Sequence, residues 1–430
     1  MDEALTRINN CIRSSSTVLN IASLNLTELP TIPNSITTLF CHNNKLKRLP
    51  NDLPGSIKEL YCDHNEINEL PSNLPKYLIR FTCSYNNLTS IPNLPTSLEI
   101  FGCIGNNISE LPELPNMLKS LFCNYNNLSA LPILPLSLEE LRCNNNKLTI
   151  LPSLPWSLIR LESNFNKLER IPDIPSSLKI LACSNNFLKE LPDNLNMVCN
   201  DCNDCNDCND SIHSLVELYC NNNQLIHLPR NLPDSIEILY CKNNKIVNLP
   251  NMLPLSLNVF NCSNNQIKEF PSNAFPDSLK KLYCYRNELI NLPMTLPDSI
   301  KTIICSSNKI KKLPIKLPTG LKRLFIENNQ LIEIPIDLPN SLQHFYCNNN
   351  PYLYISKEVA TRFCITITPN YNQKARYIQQ IWKARRRVKR LLFVKELQLH
   401  IDDFRYRPGN AGFMEIANRN KNLFMHSDIK

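Results

Sequence analysis

One unit recurs along most of this chain of 430 residues, and it constrains the fold more than any other feature. One copy reads Ile57-x-x-Leu60-x-Cys62-x-x-Asn65-x-Ile67-x-x-Leu70-Pro71-x-x-x-Pro75. The asparagine of the unit stands at 44, 65, 86, 106, 126, 146, 166, 186, 223, 244, 265, 287, 308, 329 and 350. An atypical first copy has Leu24 at that place, which makes sixteen copies over residues 19 to 355. The length alone suggests two or three domains, but the repeat predicts a single array.

Each copy contains one short alternating run, such as Leu60-Tyr61-Cys62, which suits a strand of three residues. A single copy cannot bury its apolar face, so the copies must stack into a continuous core. Asn65 and its equivalents follow the run directly. We expect their amides to bond backbone groups of adjacent copies and to turn the chain in place of glycine, of which there are only 6.

The pattern Leu-x-x-Leu-x-Cys-x-x-Asn-x-Leu resembles that of leucine-rich repeat proteins. The paired units Leu111-Pro112 and Leu114-Pro115 resemble the short repeats of bacterial secreted effectors, and the asparagine- and cysteine-rich style is similar to repeat proteins of giant amoebal DNA viruses. The resemblance implies an α/β-type solenoid, a horseshoe with a parallel sheet on its concave side. We predict an N-terminal cap at 1–18, the solenoid at 19–355, and a C-terminal cap with a basic helical tail at 356–430.

The prolines indicate how the other side of each copy is built. Of the 32 prolines, 29 occupy two fixed places in the repeat, and the copies vary in length only between those places. Proline removes a backbone donor and keeps the chain extended. The convex side is therefore predicted to be extended and polyproline-like rather than helical.

The cysteines share one column. Thirteen of the 19 stand at 41, 62, 83, 103, 123, 143, 183, 220, 241, 262, 284, 305 and 347. We expect a stack of reduced, buried thiols, with a metal-binding ladder as the alternative and disulfides less favoured because neighbouring copies would need strained bonds. Buried thiols, together with no visible signal peptide or membrane span, predict a cytoplasmic location, the host cytoplasm if the protein is viral.

An insert at 197–211 repeats Cys199-Asn200-Asp201 four times. The spacing of its cysteines and aspartates could hold zinc or an iron–sulfur cluster. The simpler interpretation is a solvated loop on the convex side, so we predict no bound metal and no cofactor.

The position before the cysteine column points outward on the predicted concave sheet. Eight of its fifteen residues are aromatic, although aromatic residues make up 7% of the chain. Such side chains supply rigid contact area in interfaces, but they also favour strands and stabilise them by stacking, and both interpretations stay open. The predicted partner-binding residues are Phe40, Tyr61, Phe122, Arg142, Tyr219, Tyr240, Tyr283, Phe325 and Tyr346. A neighbouring column mixes both charge signs, which favours a protein partner over a nucleic acid.

The tail carries the net positive charge. Residues 371 to 430 hold 14 Lys and Arg against 5 Asp and Glu, whereas the whole chain is +8. Residues 377–391 have helical apolar spacing and resemble an IQ motif, the helix that calmodulin and related light chains bind. The matching residues are Ile378, Gln379, Lys383 and Leu391, whereas Ala384 and Val388 depart from the motif. The alternatives are that this helix caps the last repeat or contacts membranes or nucleic acid.

Nothing in the sequence indicates a catalytic site or a small-molecule substrate. The 7 histidines are scattered, and the 66 residues after Cys364 are too few for the C-terminal ligase domain of some bacterial effectors. The sequence therefore predicts a non-enzymatic intracellular scaffold that binds a protein on its concave face, a host protein if the source is a virus. The competing hypotheses are an adaptor of ubiquitin ligation and a binder that acts through its basic tail.

Overall fold

The computed structural model describes residues 1–196, 215–271, 275–335, 337–351, 353 and 355–363. In these residues sixteen three-residue strands form one parallel sheet, and the strand order follows the chain order. The strands are β1 Val18–Asn20, β2 Thr38–Phe40, β3 Glu59–Tyr61, β4 Arg80–Thr82, β5 Ile100–Gly102, β6 Ser120–Phe122, β7 Glu140–Arg142, β8 Arg160–Glu162, β9 Ile180–Ala182, β10 Glu217–Tyr219, β11 Ile238–Tyr240, β12 Val259–Asn261, β13 Lys281–Tyr283, β14 Thr302–Ile304, β15 Arg323–Phe325 and β16 His344–Tyr346. The predicted horseshoe solenoid with a parallel sheet is confirmed.

Equivalent residues of successive copies pair with each other. Leu39 is in register with Leu60, and Phe40 with Tyr61, and the same register continues through the sheet. The middle residue of every strand is buried, while most first and third residues are half-buried or exposed. Each position of the repeat therefore becomes a column that runs the length of the solenoid, about 4.8 Å per step.

The cysteine column lies in the core as free thiols. All thirteen column cysteines are buried, and several of their sulfur atoms contact a carbonyl of the next copy, as in Cys41 Sγ to the Tyr61 carbonyl oxygen at 3.5 Å. Burial raises the pKa of the Cys41 thiol to about 12, and the nearby Asp63 carboxylate adds to the rise. These thiols therefore act as small apolar core residues, as predicted.

The asparagine column forms a second internal ladder. The amide nitrogen of Asn126 donates to the carbonyl oxygens of Cys103 at 2.9 Å and Cys123 at 3.2 Å, and its side-chain oxygen accepts the N–H of Ile108 at 3.0 Å. One side chain thus joins its own copy to the preceding one. The predicted bonding between adjacent copies is confirmed.

The predicted turning role of these asparagines is wrong, because the turn is made one residue earlier. In fifteen copies the residue directly before the buried asparagine has a positive φ, between 53° and 64°. These residues are Asn43, His64, Tyr85, Gly105, Tyr125, Asn145, Phe165, Asn185, Asn222, Asn243, Asn264, Arg286, Ser307, Asn328 and Asn349. Asparagine tolerates the left-handed region better than other residues with a side chain, and it holds eight of these places.

The convex side has no α-helix in the described part of the repeats, and a short 3₁₀ helix lies at Asp193–Asn196. After the second proline of each copy the chain makes a tight turn, as in the N–H of Leu118 donating to the Pro115 carbonyl at 3.0 Å. A serine hydroxyl then bonds the preceding copy, as from Ser137 to the Leu118 carbonyl at 2.8 Å. The prolines therefore lead an extended segment back to the sheet, as predicted.

Helices lie at both ends of the repeats. Helix α1, Asp2–Arg13, buries Ala4 and Ile8 beside the first strand, and Arg7 donates to the Asn20 carbonyl at 3.1 Å. Helix α2, Lys357–Arg362, is followed by Phe363, whose ring meets that of Phe345 edge-on at 5.4 Å. The chain divides into two units between Ile365 and Thr366.

Candidate partner-binding face

The outward strand positions form the candidate binding face. On each strand the first and third side chains lie on the side of the sheet opposite the core, because side chains alternate along a strand. Gly102 and Ala182 leave gaps in the third-position column, where the strand contributes little or no side chain. The predicted aromatic residues share this column but are separated into groups by the gaps and by polar residues.

The aromatic column makes three local pairs rather than one continuous stack. Tyr283 stands between Asn261 and Ile304, without an aromatic neighbour in the column. The pairs in ring contact, by centroid distance, are Phe40 with Tyr61 at 4.7 Å, Tyr219 with Tyr240 at 5.4 Å, and Phe325 with Tyr346 at 4.8 Å. Ring contacts therefore account for six of the predicted residues, and only within these three pairs. In each pair the rings remain partly accessible to solvent.

Two tyrosines of the column are oriented by the glutamate at the start of their own strand. The hydroxyl of Tyr219 donates to Glu217 at 2.9 Å, and that of Tyr61 donates to Glu59 at 3.1 Å. Burial raises the pKa of Tyr219 to about 12, with the Glu217 carboxylate adding to the rise. Both hydroxyls are held in place, so the two rings are preorganised.

Arg142 has partners within the protein. Its guanidinium pairs with Glu140 at 2.5 Å and Glu162 at 3.7 Å, and it lies 5.4 Å from the ring centroid of Phe122. Arg160 closes the group by pairing with both glutamates. This four-residue network occupies the centre of the face, so Arg142 and Phe122 are engaged internally.

A shallow groove of about 390 Å³ lies at the N-terminal end of the face. The stacked pair Phe40 and Tyr61 lines it together with a second stacked pair, His64 and Tyr85, whose centroids are 4.5 Å apart. Asp63 stands between the pairs, where its carboxylate accepts the hydroxyl of Thr82 at 2.6 Å. Sequence analysis did not identify His64, Tyr85 or Asp63, although their columns could have been read in the same way as the aromatic one.

Bulky aromatic residues also occupy the left-handed column. Tyr85, Tyr125 and Phe165 each have φ near +55° and are 49%, 58% and 55% exposed. They follow one another at every second copy along the edge where the strands end. A bulky side chain in this conformation is an outlier, and such outliers concentrate at functional sites.

Several predicted sites lie outside the described residues. The insert at 197–211 and the calmodulin-type residues Ile378, Gln379, Lys383 and Leu391 are among them. In the described part of the chain, no group of three or more His, Cys, Asp and Glu could hold a metal ion. None of the described helices has the length and hydropathy needed to cross a membrane.

Comparison with known structures gives the class of the protein. YopM, a leucine-rich effector protein from Yersinia pestis, is 32% identical, with a TM-score of 0.58 over 81% of this chain and 93% of its own. YopM from Yersinia enterocolitica is 25% identical, with a TM-score of 0.52 over 83% of this chain and 94% of its own. The chain therefore belongs to the leucine-rich repeat proteins.

InlJ from Listeria monocytogenes, whose functional domain includes a cysteine ladder, is 21% identical, with a TM-score of 0.54 over 79% of this chain and 67% of its own. At this identity the likeness concerns the fold alone. No protein-family profile and no curated protein sequence matches the chain.

Proposed function

We propose that this protein is a non-enzymatic interaction scaffold that binds a protein partner on the concave face of its repeats. The observation that carries the proposal is the presence of three aromatic pairs on that face, each with rings that remain accessible. Tyr346, for example, is 45% exposed. Accessible aromatic rings held by packing are typical anchors of protein interfaces.

The relationship to YopM, an effector, supports a role directed at a host protein. The column of free, buried thiols supports a reducing, cytoplasmic location. A viral source, an adaptor role in ubiquitin ligation, and binding through the tail remain predictions. Deleting residues 371–430 tests the tail, because loss of calmodulin binding on deletion would assign that activity to the predicted helix.

Affinity capture from a eukaryotic lysate tests the proposal. The variant replaces Tyr219 and Tyr240 with alanine, and the matched control replaces Tyr77 and Trp156, which are 59% and 74% exposed just after the second proline of their copies. We expect the control to recover the same partners as the wild type and the variant to lose them. Equal recovery by all three proteins would contradict the concave-face proposal.

A further inference from the structure

Five cationic side chains gather where the strands of three successive copies begin. Lys280, Lys301 and Lys322 directly precede β13, β14 and β15, and Lys281 and Arg323 are the first residues of β13 and β15. All five side chains are exposed. We call these five residues the basic patch. Neighbouring strands lie about 4.8 Å apart, so the lysines before them form a row of like charges.

The same columns are charge-balanced elsewhere in the sheet. Lys119, which precedes β6, pairs with Glu99 of the adjacent copy at 2.9 Å, and Arg160 pairs with Glu162 at 2.9 Å. In the part of the chain that the structure describes, none of the five patch residues forms an ion pair. Two acids of the same copies are engaged away from the patch, since Glu288 pairs with Lys309 and Asp298 accepts the N–H of Thr319.

Like charges on adjacent strands destabilise a sheet. In earlier copies the position before the strand alternates in charge, as in Glu99, Lys119 and Glu139, or an uncharged residue separates the charges, whereas the basic patch has neither arrangement. An arrangement that lowers the stability of the free protein is expected where a ligand of opposite charge completes it. The ligand that fits this row is therefore an anion.

Apolar side chains lie beside the basic patch in the third-position column. Tyr283, Ile304 and Phe325 are half-buried, and Phe325 contacts the ring of Tyr346. The surface therefore combines a cationic row with an apolar row on the same strands. A ligand that satisfies both rows carries carboxylates next to an apolar residue.

The rest of the face limits the length of the anion. Toward the N-terminus the outward positions of the sheet carry Glu217 and, directly before β11, Glu237, and beyond them the charge-neutral network of Arg142, Arg160, Glu140 and Glu162. A long polyanion such as a nucleic acid, laid along the face, would meet these carboxylates. We propose that the basic patch binds a short acidic segment of a partner polypeptide that also carries an apolar anchor residue. This inference rests on the proposed function, because it names the partner chemistry at one end of the same face.

Zero-length cross-linking tests the proposal directly. A glutamate-rich peptide with one leucine is incubated with the full chain, carbodiimide joins its carboxylates to nearby lysines, and mass spectrometry locates the joined residues. We expect cross-links at Lys280, Lys301 and Lys322. Cross-links confined to residues 366–430, or to Lys311 and Lys316 on the outer side of the same copies, would overturn the proposal.

Charge reversal supplies the quantitative test. We expect Lys301→Glu with Lys322→Glu to weaken binding of the fluorescent peptide about tenfold or more, and to raise the thermal midpoint of the free protein because repulsion is removed. The control, Lys311→Glu with Lys316→Glu, changes the net charge equally and should leave binding unaltered. Equal weakening by both variants, or tighter binding of a single-stranded oligonucleotide than of the peptide, would refute the assignment.

The two proposals can fail separately. If Tyr219 and Tyr240 are dispensable for partner capture but the peptide still cross-links to the basic patch, the aromatic proposal fails and the patch assignment stands. If captured partners depend on the tyrosines but charge reversal of the patch changes neither peptide binding nor partner recovery, only the patch assignment fails.

Discussion

Gly105 lies beneath the ring of Tyr85: a Cβ added to Gly105 would come 2.7 Å from Cδ1 of Tyr85. Gly105 also has a φ of +64°, in the column where every other described copy carries a side chain. In the described residues it is the one glycine of that column. It lies in the copy after that of Tyr85, whose ring stacks on the ring of His64. The ring of Tyr85 can therefore occupy its place in the groove because residue 105 has no Cβ.

Replacing Gly105 with alanine should destabilise the solenoid by about 1–2 kcal/mol from the left-handed backbone alone, with the contact to Tyr85 adding to the loss. Gly55→Ala is the control, because a Cβ there meets nothing within 4 Å. Urea unfolding followed by circular dichroism measures both. If the two substitutions have the same effect, the close approach of Gly105 to Tyr85 is unimportant.

Asn126→Ala should lower the stability by about 3 kcal/mol or more, because several buried backbone groups lose their partner at about 1–3 kcal/mol each. Those groups include the Ile108 N–H and the Cys103 carbonyl. Asn126→Asp should be nearly as damaging, since a carboxylate cannot donate. The exposed Asn116→Ala is the control and should stay within about 0.5 kcal/mol of the wild type in the same urea experiment. A loss of similar size for Asn116→Ala would argue against the ladder.

The buried thiols predict a steep loss of stability at alkaline pH. Burial raises the pKa of Cys41, Cys123 and Cys183 from 9.0 to about 12, so these thiols stay neutral in the folded protein while they ionise in the unfolded chain. Below about pH 9 the free energy of unfolding keeps the full contribution of these thiols. Between about pH 9 and 12 it falls by about 1.4 kcal/mol per pH unit for each such thiol. Thermal midpoints measured from pH 7 to 11 check this slope. Midpoints that do not change above pH 9 would show that the thiols ionise without unfolding.

Alkylation provides an independent check of the same burial. At pH 8 the column cysteines should resist iodoacetamide in the native protein and react fully in denaturant, because the thiolate is the reactive form. Cys11, at the N-terminal helix, is only partly buried and serves as the internal control. Site-resolved mass spectrometry separates these residues from one another.

Arg142→Ala should change partner capture less than the loss of Tyr219 and Tyr240, since its guanidinium is already paired with Glu140 and Glu162. The expected loss of stability is at most about 1 kcal/mol, because the network is partly exposed. That loss should shrink at high salt, which unfolding in urea with and without added sodium chloride measures. Complete loss of partners with Arg142→Ala would show that the arginine leaves its network on binding.

Much of this fold follows from the repeat itself. The register, the buried middle residue of each strand, the cysteine core and the inter-copy bonds of Asn126 were predictable, because equivalent residues at equal spacing must share one environment. The sequence predicts the left-handed turn one residue too late. A buried asparagine and an asparagine at the turn are adjacent in eight copies, and the two roles are separated only in the copies that carry another residue at the turn, such as His64, Tyr85 or Arg286.

The candidate surfaces were less predictable. The aromatic column was visible in the sequence, but its division into pairs and the pairing of Arg142 with Glu140 and Glu162 depend on side-chain conformations. The basic patch does not appear in the net charge of residues 1–370, which is close to zero, although Lys280, Lys301 and Lys322 occupy the same position of three successive copies.

The sequence by itself determined the class of fold, the strands, the core columns and the convex prolines, since each is a local requirement repeated in every copy. Only the tertiary structure decided which exposed side chains act together. Stacking brings residues about twenty positions apart in the chain to about 4.8 Å from one another. Charge repulsion, ring contacts and ion pairs depend on that distance, so they appear only when the copies are placed side by side.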